Sequence, residues 1–91
     1  MASKVYFANF RATFTENIPQ KLARLIKTAG MLEGIDFANK FTAIKIHFGE
    51  PGNLSYLRPN YSKVIVDLIK EQGGRVFLTD CNTLYVGRRK N

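Results

Sequence analysis

The sequence predicts an α/β fold, a small βαβαβ unit with a mainly parallel three-stranded sheet and two packed helices. Three observations carry this. Segments starting at Ile18 and Pro59 repeat apolar residues at helical spacing. Runs of aromatic and β-branched residues precede, separate and follow them. This alternation argues for parallel strands joined by right-handed crossovers.

Residues 5–8, VYFA, read as the first strand, and residues 9–16 as a loop carrying Arg11. Ile18, Leu22, Leu25, Ile26 and Ala29 then lay one apolar stripe along a helix. Asn17 caps its start, Pro19 is tolerated in the first turn, and Gly30 supplies the left-handed residue that ends it. Residues 31–40 form a connector in which Leu32, Ile35 and Phe37 cover the core edge.

Residues 41–48 read as the second strand, with Thr42, Ile44, Ile46 and Phe48 on one face and Phe41, Ala43, Lys45 and His47 on the other. The second helix starts at Pro59, repeats Tyr61, Val64, Ile65, Leu68 and Ile69, and stops at Gly73-Gly74. Residues 75–79, RVFLT, are the third strand.

Ninety-one residues hold a single domain, covering residues 1–91, with an apolar fraction of 45% that suits a globular core. Fourteen Lys and Arg against seven Asp and Glu give a net charge of +7, which attracts phosphates, anionic surfaces or an acidic partner without choosing among them. Arg88, Arg89 and Lys90 gather part of that charge at the end. Cys81 is the single cysteine, which excludes an internal disulfide or a multi-thiolate site within the chain and fits a reducing compartment. The N-terminal residues lack the pattern of a secretory signal, and no apolar run approaches the about 18 residues of a membrane span. A cytoplasmic setting without membrane association is expected.

In open parallel sheets, ligands collect outside the carboxyl ends of the strands. The candidate ligand-binding residues there are Lys45, His47, Glu50, Asn53, Arg58, Asp80 and Asn82, with Arg11 peripheral. Lys45 and His47, two apart on a strand, would leave the same face about 6.6 Å apart, as a cation and a titratable base aimed at one ligand or as polar caps of a sheet face. Lys45 and Arg58 would hold an anionic group and His47, Glu50 or Asp80 would handle a proton or a metal, although one histidine without clustered partners is too few to assign a metal site. Gly49, Pro51 and Gly52 let the chain turn sharply before the second helix, where backbone N–H groups and Arg58 suit an anion, but GEPGN is equally an ordinary turn. Asp80, Asn82 and Thr83 close the third strand as ligand-reaching groups or as local turn-formers. Tyr56 and Tyr85 read as cover for the core edge. Nucleic acid is disfavoured as a partner, because no recognised motif and no aromatic platform accompany the basic residues.

The block KIHFGEPGNLSYLRPNY followed by GGRVFLTDCNTLYVGRR resembles the amino-terminal part of the ferredoxin-linked family catalogued as domain of unknown function 362. The likeness runs from KVYFANFRA to the last Arg. It implies an α/β region that, in many members, continues into a ferredoxin-like segment whose cysteine runs hold [4Fe–4S] clusters. No such run is present here, and Cys81 alone does not supply the ligation. The family pattern often carries Thr at that position, so Cys81 reads as a local variant and not as a ligand.

The expectation is therefore an N-terminal fragment of an iron–sulfur-associated protein, without a cofactor of its own, presenting a surface for an anionic small molecule at the strand ends. [4Fe–4S] clusters would belong to a longer native protein. The alternative is a basic module that binds nucleic acid or another polyanion without catalysis. No residue pattern specifies a reaction. Unpaired sheet edges further predict self-association.

Overall fold

The computed structural model describes residues 2–81, which form α1 (Ile18–Ala29), β1 (Phe41–Lys45), α2 (Pro59–Glu71) and β2 (Arg75–Thr79) in that order. The two strands pair in parallel, with Phe41 opposite Arg75 and Lys45 opposite Thr79. α1 packs on α2, and α2 on β2.

Both helix starts obey local rules. At α1, Asn17 Oδ1 accepts the Gln20 backbone N–H and Gln20 Oε1 accepts that of Asn17, each at 2.8 Å, so two end donors of the helix are satisfied reciprocally. Gly30, at φ 69°, ends the helix in the left-handed conformation. α2 begins on Pro59 and is capped by Gln72, with Gly73 and Gly74 following. Gly74 permits the close approach that follows, because a Cβ there would lie 2.6 Å from Ile69 Cγ2 and 3.2 Å from Phe37 Cβ. Ile26, Phe37, Leu68 and Ile69 are the buried hydrophobic residues, so the core gathers toward the carboxyl ends of the helices. The connector residue Phe37 joins it as expected, while Ile35 stays exposed.

Accessibility alternates along β1: Thr42 and Ile44 are half-buried, whereas Phe41, Ala43 and Lys45 are exposed. On the open face the Arg75 guanidinium lies 5.5 Å from the Phe41 ring centroid, a cross-strand cation–π pair.

The expected three-stranded sheet requires correction, since among the described residues the sheet has two strands. Residues 5–8 take no strand conformation, and Val5 and Phe7 are 87% and 84% exposed. Strand propensity reflects fit to a neighbouring strand and not a backbone preference that acts alone. Here no neighbouring strand pairs with residues 5–8, and the residues that follow are fixed by α1: Lys21 Nζ donates to the Asn9 carbonyl at 2.9 Å, to Asn9 Oδ1 at 2.6 Å and to the Arg11 carbonyl at 2.9 Å. The second expected strand is also shorter. β1 ends at Lys45, although the Ile46 N–H still bonds the Thr79 carbonyl at 2.9 Å.

Candidate functional site

The parallel pairing sends β1 and β2 toward one rim, and a side chain ties their ends together. Asp80 Oδ2 accepts the Phe48 backbone N–H at 3.0 Å, and Oδ1 accepts that of Cys81 at 2.7 Å. The carboxylate thus spans the loops that follow the two strands, each oxygen bound to a backbone donor.

Beside this clasp, His47 Nδ1 accepts the Gly49 N–H at 2.8 Å. With Nδ1 acting as acceptor, the imidazole carries its proton on Nε2. Gly49 is required here on two counts. Its φ is 89°, and a Cβ would lie 2.5 Å from Tyr56 Cδ1. The Tyr56 ring therefore seats on the glycine, which gives it a role in shaping the loop beyond covering a core edge.

The loop continues through two local turns. The Glu50 carbonyl accepts the Asn53 N–H at 2.8 Å, and Asn53 Oδ1 accepts the Ser55 N–H at 2.8 Å. His47, Asn53, Ser55, Tyr56 and Leu57 line one open depression of about 580 Å³. Arg58 then occupies the N-cap of α2 without a side-chain capping bond, its carbonyl accepting the Tyr61 N–H at 3.1 Å.

The structure brings together His47, Asn53 and, through Phe48, Asp80. Lys45 lines a separate apolar groove with Ile44 and Ile46, and Leu57 borders both concavities. The two-residue spacing of Lys45 and His47 therefore does not place them in one concavity, because the strand has ended before His47. Asn82, with Thr83 and Tyr85, lies outside the described residues. Sequence reasoning missed Ser55 and Leu57; the Asn53-x-Ser55 spacing, an Asx turn, was the available signal for the former.

Electrostatically, Glu16 is held below the ordinary carboxylate value, its side chain accepting a two-pronged bond from Arg24 at 2.8 Å for each contact. It belongs to the entrance of α1. Among the described residues no group of three or more His, Cys, Asp and Glu side chains is gathered as a metal site.

A family model described as a domain of unknown function, DUF362, matches residues 42–91. The chain belongs to the DUF362 family. The match takes in β1 from its second residue, the rim loop, α2 and β2, and so includes every candidate residue from Lys45 onward. No curated protein and no solved structure matches this DUF362 chain. Its donor set does not fit an iron–sulfur cluster, which takes several thiolates where the sequence has one cysteine, exposed in the structure. Among the described residues no helix is long and apolar enough to cross a membrane.

Proposed function

We propose that this chain is the amino-terminal α/β region of an iron–sulfur-associated DUF362 protein and that its rim receives an anionic small molecule. The observation that supports this is the bond between Asp80 and Phe48, which draws two sequence-distant loops to one side of the sheet beside the His47 and Asn53 depression. His47 Nε2–H, the Asn53 amide and Arg58 are the donors suited to an anion, with Lys45 at the adjoining groove. The net charge of +7 favours the same sign of ligand. Asp80 and Gly49 act as positioning residues, since both spend their polar groups on loop geometry. Glu50 shapes the turn through its carbonyl. Any cluster would be supplied by a ferredoxin-like segment with the thiolates this chain lacks, in a cytoplasmic, reducing setting.

The test is titration of the chain with inorganic phosphate, followed by backbone amide resonances. Saturating shifts at Gly49, Asn53 and Arg58, weakened several-fold in His47→Ala and in Arg58→Ala, are expected. Absence of localised shifts overturns the reading. Salt-dependent binding of arbitrary duplex DNA, lost on neutralising Arg88, Arg89 and Lys90, would replace it with a polyanion-binding module.

A further inference from the structure

Among the described residues each strand of the sheet has one unpaired edge, and that of β1 lies on the side away from β2. The Ile46 N–H bonds the Thr79 carbonyl, and the Arg75 N–H bonds the Lys40 carbonyl. Backbone groups alternate sides along a strand, so the even-numbered groups of β1 face β2, while Ala43 and Lys45 turn their N–H and C=O groups away from it. Beside that edge runs an apolar groove of about 460 Å³, lined by Leu22 and Leu25 of α1, Ile44 and Ile46 at β1, and Ile65 of α2. Ala8, Asn9 and Phe10 form part of its wall.

We propose that residues 5–8 are an edge strand that adds in parallel to β1, turning about Asn9 to cover this groove. Three independent observations converge on that occupant. The first is position: Ala8, Asn9 and Phe10 already border the groove together with Ile44, Lys45 and Ile46, at the carboxyl end of β1, where a parallel partner must finish. Lys21 anchors Asn9 and Arg11 there, so only the residues before Asn9 need to swing.

The second is handedness. With residues 5–8 next to β1 and β1 next to β2, two right-handed crossovers place both helices on one face of the sheet. α1 and α2 are packed against each other, as that order requires. The third is unspent chemistry. Val5 and Phe7 lie exposed while, among the described residues, nothing pairs with the outward backbone groups of Ala43 and Lys45, and strand addition satisfies both at once.

The tether favours the chain's own segment over that of a second copy, because a short linker keeps it at high effective concentration, whereas two chains of charge +7 repel. Docking would also set Asn9 and Arg11 as a third wall of the rim. This inference stands independently of whether the rim binds an anion.

Amide hydrogen exchange on the 91-residue chain tests it, comparing the natural sequence with Tyr6→Pro and Phe7→Pro, which between them remove the donor on either side of the segment. Ala43 and Lys45 amides are expected to exchange about tenfold or more slowly in the natural chain than in at least one proline variant. The Phe77 amide, which faces β1, reports that the sheet itself persists. Equal exchange in all three chains overturns the proposal. Should Phe77 protection be lost as well, disulfide trapping decides: Ala43→Cys is combined with Tyr6→Cys or Phe7→Cys in a Cys81→Ser background. A disulfide within one chain in either pair supports the inference. A disulfide-linked dimer assigns the edge to a second copy, and no disulfide in either pair leaves the edge without this strand; both outcomes overturn it.

Discussion

The Asp80 carboxylate accepts the Phe48 N–H at 3.0 Å across 32 residues of chain, and by this bond the ends of two parallel strands share one rim. Hydrogen bonds to charged groups contribute about 1.5–3 kcal/mol each. Asp80→Ala is therefore expected to destabilise the fold by about 1–3 kcal/mol, read as a lower urea midpoint at unchanged slope. It should also accelerate exchange of the Phe48 amide. An unchanged Phe48 rate would contradict the clasp.

Gly49 and Gly52 separate two physical effects. Both have positive φ, 89° and 86°, but a Cβ at Gly52 meets nothing within 4 Å whereas one at Gly49 runs into Tyr56. Gly52→Ala is expected to cost about 1 kcal/mol of backbone strain, and Gly49→Ala about 2–3 kcal/mol. Adding Tyr56→Ala should recover part of the Gly49→Ala loss, as a double-mutant cycle will show.

Asn17→Ala removes the acceptor for the Gln20 N–H and leaves the reciprocal bond of Gln20 without its partner turn. A loss of about 1 kcal/mol is expected, with exchange accelerated in the first turn of α1. Asn17→Asp should retain most of the stability.

Glu16 sets a pH dependence. Its pKa is lowered from 4.5, first by the hydrogen bond from Arg24, so the folded state holds the carboxylate more firmly deprotonated than the unfolded chain does. The stabilisation is present above pH 4.5 and is lost as the pH falls through the lowered folded value. The Arg24 side chain is exposed and Glu16 is half-buried, so solvent screens the pair and its effect is small. Glu16→Gln should flatten this part of the acid limb of a thermal-stability profile; an identical acid limb would remove Glu16 as its source.

The small core makes the chain sensitive to truncation within it. Ile69 is 2% exposed and, like Phe37, lies against Gly74 at the turn into β2. Ile69→Ala is expected to cost about 2–5 kcal/mol, comparable with the whole stability of a domain this size, so circular dichroism should show substantial unfolding at 25 °C.

Helix bounds were legible because their signals are local. Asn17, Pro19 and Gly30 mark α1, and Pro59 with Gly73-Gly74 marks α2, each through backbone chemistry within one turn. Convergence of residues 47–49 with Asp80 was legible through topology, since parallel strands end together. What the Asp80 carboxylate meets there was not, because its partner is a backbone N–H fixed only by tertiary approach. The divergence of Lys45 and His47 escaped notice for a related reason: alternation assigns faces only while the strand lasts, and β1 ends at Lys45. Residues 5–8 have strand character, but pairing depends on a neighbouring edge brought alongside by tertiary approach, which no local signal supplies.

Every rung between β1 and β2 joins residues separated by the rim loop and the whole of α2. Nothing in the sheet can therefore form by zipping from a tight hairpin; the chain must first lose the entropy of closing a long loop, which α2 shortens when it is already helical. An α2 that is already helical would bring the two strands together sooner, and during synthesis β1 cannot complete its pairing with β2 until Thr79 has left the ribosome.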